Sequence, residues 1–150
     1  MMRCCVMKFG PFCFIFLLVS ASCYASSGDP SRNVGSLESI DTKTFNEIIQ
    51  KAHHEGLGWS VRPELYIFYL FDLSEIKSVS YEYSFDSVES PNYVNINLVR
   101  DGFLDDSVRG DIQYLKLRKN KNGTWNIISI KKARSCWRKK NLTYSSEACL

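Results

Sequence analysis

The hydrophobic pattern of the chain changes from a helical period to strict alternation near its middle. In residues 41–56 the apolar side chains recur at i, i+3, i+4 and i+7, which predicts an amphipathic helix. They are Phe45, Ile48, Ile49 and Ala52. Either Thr44 and Glu47, which have capping-box spacing, or Asp41 caps its start, and Gly56 is placed to end it.

The next apolar run, RPELYIFYLFD at residues 62–72, has no clear period. Pro63 followed by Glu64 suits the first turn of a helix, whereas the Tyr, Ile and Phe content suits a strand. We predict a second short helix here.

From residue 78 onward, apolar and polar side chains alternate, as in half-buried strands. Residues 78–85 and 94–98 follow this rule, and two more strands are predicted at about 111–119 and 124–134. An Asn-Gly pair at residues 122–123 is a strong hairpin signal between them.

Within the third predicted strand the apolar positions change phase. Leu115 and Leu117 fall out of step with Ile112 and Tyr114, so the strand has either a bulge or two buried faces. A helix or two followed by a four-strand meander predicts an α+β fold, with one or two N-terminal helices packed on a curved antiparallel sheet of about four strands.

The first 25 residues have the pattern of a secretory signal peptide. Two cations precede an apolar run at residues 12–19, which is shorter than the roughly 20 residues of a membrane span. Small side chains favour cleavage after Ala25, with Ser22 as the alternative.

The region after the signal peptide divides into two parts. Residues 26–40 are rich in Ser, Gly and Pro and are expected to be a flexible lead-in. Residues 41–150 are expected to form one domain.

Lipid attachment at Cys23 would require an aliphatic residue three positions upstream, where Ser20 stands, so we expect a secreted or periplasmic protein without a lipid anchor.

Two cysteines remain after signal cleavage, Cys136 and Cys149. A zinc site would need further ligands from His53 and His54, which lie far upstream without suitable spacing. A redox pair is more often Cys-x-x-Cys. In an exported protein this pair therefore predicts a disulfide that holds the C-terminal tail, and we expect no metal and no cofactor.

Charge is unevenly distributed along the chain. Without the signal peptide, which holds Arg3 and Lys8, 17 of the 19 Lys and Arg residues remain against 16 Asp and Glu. From Ile112 onward there are ten cations and one acid, Glu147. Such a basic end suits an anionic envelope or host macromolecule, although strands also expose cations to stay soluble and to protect their edges. The candidate partner-binding residues are Arg134, Arg138, Lys139 and Lys140.

The segment DGFLDDSVRGD at residues 101–111 is the densest polar stretch. Apolar residues interrupt the alternating ligands that a calcium loop requires, so we expect Asp side chains that cap turns and pair with Arg109. The integrin-type tripeptide at 109–111 is expected to lead into a strand. Polar candidates for a loop or pocket site are Asp105, Asp106, Arg109, Tyr81 and Tyr83.

Residues 99–149 carry a further pattern: an Asp-Asp-Ser-Val loop before a strand, a Gly-x-Trp hairpin, and a Cys-Trp segment followed by a second Cys. This third of the chain resembles the C-terminal half of small exported bacterial proteins of uncharacterised function. Those proteins carry Gly-Arg-Gly-His after the first Cys, whereas residues 138–141 read Arg-Lys-Lys-Asn, so no role of that His is carried over. The order of elements is similar to NTF2-like and cystatin-like sheets, a likeness of shape that implies no activity.

No catalytic triad, phosphate-binding loop, zinc motif or Cys-His dyad is present in the sequence. We therefore expect a non-catalytic binding module that meets a macromolecule through its sheet and basic C-terminal end. The alternative is a small enzyme or ligand carrier of NTF2-like shape, with a pocket between helix and sheet. We expect no nucleic-acid partner, and the sequence leaves the oligomeric state open.

Overall fold

The structure is a computed structural model that describes residues 33–139 and 143–149. The predicted signal peptide, Cys23 and Lys140 lie outside the described residues. The strands are β1 (Asn33–Val34), β2 (Glu38–Ile40), β3 (Ser78–Phe85), β4 (Tyr93–Asp101), β5 (Val108–Lys119), β6 (Trp125–Cys136) and β7 (Thr143–Tyr144). The helices are α1 (Lys43–His54) and α2 (Tyr66–Leu70), with 3-10 turns at Gly58–Val61 and Pro63–Leu65 between them.

The main sheet has five antiparallel strands in the order β2-β6-β5-β4-β3 and does not close into a barrel. Two short helices pack on one face, so the predicted α+β fold class is confirmed. The four predicted strands are β3 to β6. The fifth strand, β2, pairs with β6 at Ile40 and Ile130.

Helix α1 begins and ends close to the predicted residues. The Asp41 carboxylate accepts the backbone N–H of Lys43 at 3.0 Å, which favours Asp41 over the capping box as the start signal. Gly56 ends the helix with a φ of 72°, a conformation that only glycine adopts without strain. Ile49 is buried beneath the helix, whereas Ile48 is exposed.

The ambiguous run at 62–72 forms a 3-10 turn and then α2, which confirms the second short helix. Tyr66 is buried, and its hydroxyl lies 2.7 Å from the Ser60 carbonyl oxygen and accepts the Trp125 backbone N–H at 3.2 Å. Burial raises the pKa of Tyr66 to about 12. Its phenol therefore stays neutral and links α2 to the first residue of β6.

The main core lies between the helices and one face of the sheet, called here the helix-facing side. Its buried members are Ile49, Tyr66, Ile67, Val94, Ile96, Leu98, Leu115, Leu117, Trp125, Ile127 and Ile130. The opposite face of β5 is also buried, where Ile112 packs with Val99, Ala133 and Tyr144. Two-sided burial therefore explains the change of phase in the third predicted strand.

A bulge also occurs, but its extra residue lies in the partner strand. Lys116 pairs with Ser129 and Leu117 pairs with Ile127, which leaves Ile128 without an opposite residue. The Asn46 side chain of α1 accepts the Ile127 N–H at 2.8 Å and donates to its carbonyl at 2.9 Å. The helix thus satisfies the backbone groups that the bulge leaves free.

Residues 33–40 belong to the segment that the sequence predicts to be a flexible lead-in, and the structure places β1 and β2 within them. Strand β1 pairs in parallel with β7, and the Gly35 N–H donates to the Tyr144 carbonyl at 2.8 Å. The sequence gives no periodic signal here because these strands are two and three residues long. Pairing with other segments, rather than local propensity, fixes their conformation.

The structure contains the disulfide between Cys136 and Cys149, as predicted. Ahead of it, Ser145 exchanges two backbone hydrogen bonds with Arg134, at 2.8 and 2.9 Å. The tail therefore runs beside the end of β6, and through β7 it also holds β1.

Candidate functional site

The helix-facing side of the sheet becomes polar beyond the helices. Strand register places Arg100 of β4 opposite Asp111 of β5, and Asp111 opposite Arg134 of β6. We call these three residues the polar row. In the adjacent row, Gln113 of β5 lies opposite Lys132 of β6. Because side chains two residues apart share a face, these residues continue the same face as the apolar core.

Asp111 is the centre of this cluster and is 1% exposed. Arg100 contacts it with two parallel hydrogen bonds, Nε to Oδ1 at 2.9 Å and Nη2 to Oδ2 at 2.6 Å. Lys132 Nζ lies 3.4 Å from Oδ2, and Gln113 Nε2 donates to the same oxygen at 3.1 Å. The buried carboxylate is thus neutralised and hydrogen-bonded, as a buried charge requires.

Arg134 occupies the other end of the polar row. One of its guanidinium nitrogens, Nη2, forms an ion pair with Glu38 of β2. Its Nε is buried and has no hydrogen-bond partner within residues 33–139 and 143–149. A buried donor without an acceptor costs roughly 1–3 kcal/mol, so an additional acceptor near Arg134 would be stabilising.

A pocket of about 270 Å³ opens over the polar row. We call it the basic pocket. Its lining residues are Arg100, Phe103, Asp105, Val108, Asp111, Lys132 and Arg134. Arg100 stacks over the Phe103 ring at 5.1 Å, so Phe103 and Val108 form an apolar wall beside three cations.

The Asp105 carboxylate holds the loop that borders the basic pocket. Its Oδ1 accepts the backbone N–H groups of Val108 and Ser107 and the Ser107 hydroxyl, each at 2.7 Å. These hydrogen bonds, led by the one from Val108, lower the pKa of Asp105 below its ordinary value of 3.8. The Asp105 backbone carbonyl accepts the Trp137 indole N–H at 3.0 Å. Asp105 therefore caps a turn, as predicted.

Arg109 pairs with an Asp of the same segment, Asp101, at 3.2 Å. It also lies over the Trp137 ring at 5.4 Å. The 109–111 tripeptide was expected to precede a strand, but it lies within β5, which begins at Val108, and its Asp is buried in the polar row. A Cβ atom on Gly110 would lie 2.4 Å from the Arg100 carbonyl oxygen, so this position needs glycine for the strands to approach.

The other predicted polar candidates do not line the basic pocket. The Tyr83 hydroxyl donates to the Glu64 carbonyl at 2.5 Å, and burial raises its pKa to about 12. Tyr81 contacts Phe68 edge to face. Asp106 is exposed in the loop. The pocket predicted between helix and sheet is not the basic pocket, which lies at the other end of the same face.

Of the basic candidates that the structure describes, Arg134, Arg138 and Lys139, only Arg134 lines the basic pocket. Lys139 forms an ion pair with Glu147 of the tail at 2.8 Å, and Arg138 is exposed. The sequence reasoning missed Arg100 and Lys132. The sequence held a signal for Arg100, because it lies two and four residues after Leu98 and Ile96, on the side of the strand where a buried apolar residue is expected.

Comparisons with protein-family models, curated proteins and solved structures find no match to this chain. The resemblance to exported bacterial proteins and to NTF2-like and cystatin-like sheets therefore stays a prediction. In the described part of the chain, no three His, Cys, Asp or Glu residues lie where they could hold a metal ion. No helix in that same part is long and apolar enough to cross a membrane.

Proposed function

We propose that this protein is a secreted or periplasmic, non-catalytic binding module that holds an anionic group of its ligand in the basic pocket. The observation that carries this proposal is the convergence of three cations and an apolar wall on one pocket of about 270 Å³. The predicted signal peptide and the Cys136–Cys149 disulfide support the location, because disulfides persist in oxidising compartments.

The chemistry of the lining residues favours a carboxylate or phosphate attached to an apolar body. Three cations and two acids line the pocket, but Asp111 is already paired with Arg100 and the Asp105 carboxylate is held by loop N–H groups. Arg and Lys beside an apolar surface suit an anionic group with an apolar neighbour.

The donors available to a ligand are those of Lys132 and Arg134. Arg100 directs Nε and Nη2 at Asp111 and donates from Nη1 to the Asp72 carbonyl at 2.8 Å, so its role is to build the pocket wall. A bound anion would approach Lys132 Nζ. It would either compete with Glu38 for Arg134 or accept a hydrogen bond from Arg134 Nε, which has no partner among the described residues.

Neither carboxylate in the pocket is suited to general acid or base catalysis. A catalytic carboxyl that works near neutral pH needs a raised pKa, whereas the pKa of Asp105 is lowered. The oxygens of the buried Asp111 already accept hydrogen bonds from Arg100 and Gln113. The lining residues include no Ser, Cys or His, which are the usual nucleophiles and bases. This pocket composition supports binding over an enzymatic role.

The test is a titration that monitors arginine side-chain Nε–H signals by NMR. Benzoate and inorganic phosphate, added at constant ionic strength, provide a carboxylate with an apolar body and a bare anion. We expect saturable shifts of the Arg134 and Arg100 signals, with tighter binding of benzoate if the Phe103 wall takes part. Preference for phosphate would assign the site to phosphate groups instead.

A matched pair of variants ties binding to the pocket. Lys132→Gln removes a pocket cation and should weaken binding about fivefold, equivalent to about 1 kcal/mol for a partly exposed charge. Lys131→Gln removes the neighbouring exposed charge on the opposite face and should leave affinity unchanged. Equal effects of the two changes, or a linear response to both anions, would contradict the proposal.

A further inference from the structure

Strand β3 forms an open edge of the main sheet. It spans eight residues and pairs with β4 in regular register. Among residues 33–139 and 143–149, no strand pairs with its other side. Edge strands are usually protected by shortness, lysine, proline or bulges. The other edge strand, β2, is three residues long, whereas β3 is long, contains no lysine or proline, and has one charged side chain, Glu82.

The helix-facing side of β3 is an exposed aromatic surface. Tyr81 is 42% exposed, and its ring meets that of Phe68, which is 49% exposed, edge to face at 5.6 Å. Val79 and Phe85 lie on the same side of the strand and are also exposed. The other side of the strand carries Ser78, Ser80, Glu82 and Ser84. An added strand with the same alternation would extend the aromatic side and the polar side together.

We propose that a second copy of this chain covers this edge, with β3 of each copy paired antiparallel about a two-fold axis at Tyr81. A two-fold axis perpendicular to a sheet gives a closed dimer with identical surfaces on both copies. It also places residues of the same side opposite each other, so β3 matches its own alternation of aromatic and polar side chains. This inference is independent of the basic pocket.

Charge selects the register. A two-fold axis at either Tyr81 or Glu82 lies near the middle of β3, so that most residues of the strand would pair with the second copy. An axis at Glu82 places two carboxylates directly opposite each other, which is destabilising. An axis at Tyr81 places Glu82 opposite Ser80 and stacks two exposed tyrosines, a favourable cross-strand pair.

Sedimentation velocity of the exported, oxidised protein tests the proposal. We expect a concentration-dependent dimer. Tyr81→Lys places two like charges opposite each other and should raise the dimer Kd at least tenfold. Ile128→Lys, at a residue of equal exposure on β6, should not change it. A wild type that stays monomeric at about 1 mM, or a dimer that Tyr81→Lys does not weaken, would overturn the proposal.

Two further measurements test the register and guard against misfolding. An equimolar mixture of Tyr81→Lys and Tyr81→Glu copies should form a heterodimer, because the opposed charges attract. Ser80→Lys lies on the exposed polar side and would face Glu82 of the second copy twice, so it should lower the dimer Kd severalfold. A mixture that stays monomeric, or a Ser80→Lys variant with unchanged Kd and native circular dichroism, would exclude this register.

Discussion

Replacing Asp111 by Asn should destabilise the protein strongly while improving anion binding. The change is nearly isosteric, so it removes the charge without opening a cavity. Arg100 and Lys132 would then share the pocket without their buried counter-charge. The Asn NH2 group would also replace one of the two oxygens that accept hydrogen bonds from Arg100, so that two donors would face each other. Both consequences follow from the position of Asp111 at the centre of the polar row.

The expected cost is about 3 kcal/mol. Two charge-assisted hydrogen bonds join Arg100 to Asp111, at 2.9 and 2.6 Å, each worth roughly 1.5–3 kcal/mol. Removal of one partner of a buried ion pair costs about 3–5 kcal/mol. Because the Arg100 side chain is 12% exposed and keeps its bond to the Asp72 carbonyl, it can recover some solvation, which favours the lower end of this range.

Urea unfolding measures this cost, and Asp106→Asn is the matched control. Asp106 is exposed in the neighbouring loop, so its change should stay within about 0.5 kcal/mol. Inorganic phosphate should stabilise the Asp111→Asn protein more than the wild type, because the pocket gains one net positive charge. A loss below about 1 kcal/mol, or a loss equal to that of the control, would refute the assignment of Asp111 as the buried counter-charge.

Two further predictions concern the tail and the loop beside the pocket. Replacing both Cys136 and Cys149 by Ser should lower the free energy of unfolding by about 3 kcal/mol, the chain-entropy value for a loop of this size. The circular dichroism spectrum should keep its native form. Two free thiols found by intact-mass analysis of the exported wild type would contradict the basis of this prediction. The lowered pKa of Asp105 means that its turn is stabilised above pH 3.8, the ordinary value, and loses this stabilisation as the pH falls through the lowered pKa. Trp137 emission, taken as the difference from a Trp137→Phe variant, should therefore change only below pH 3.8 and show no such transition in Asp105→Asn.

The elements that the sequence predicted are those whose apolar and polar residues recur with a local period. Helix α1 has its apolar side chains on one stripe and ends at Gly56, and β3 alternates along its whole length. In such elements, the side on which each residue lies follows from its near neighbours in the sequence. Their class and position could therefore be read without knowledge of the partner elements.

The short strands could not be predicted in this way. Strands β1 and β7 are two residues long, and each exists because the other lies beside it. The Ser, Gly and Pro content of residues 26–40 predicts a flexible segment and gives no sign that Gly35 and Ser36 contact tail residues 144–146. Contacts between chain ends so far apart in sequence carry no local period.

The sequence indicated some residues of the candidate site, but only the strand register shows which of them lie together. The excess of cations after Ile112 pointed to a basic surface, and alternation placed Arg100 on the buried side of β4. Neither observation shows that Arg100, Asp111 and Arg134 lie in one row across three strands, because a slip of one residue moves every side chain to the other face. Register makes Arg100 a structural partner of Asp111, whereas Lys132 and Arg134 are the donors that we propose for a ligand. Register also separates two surfaces that charge alone would merge. One is the basic pocket, where the buried Asp111 pairs with Arg100 and Lys132; the other holds the exposed Arg138 and Lys139 near the disulfide, where Lys139 pairs with Glu147 of the tail.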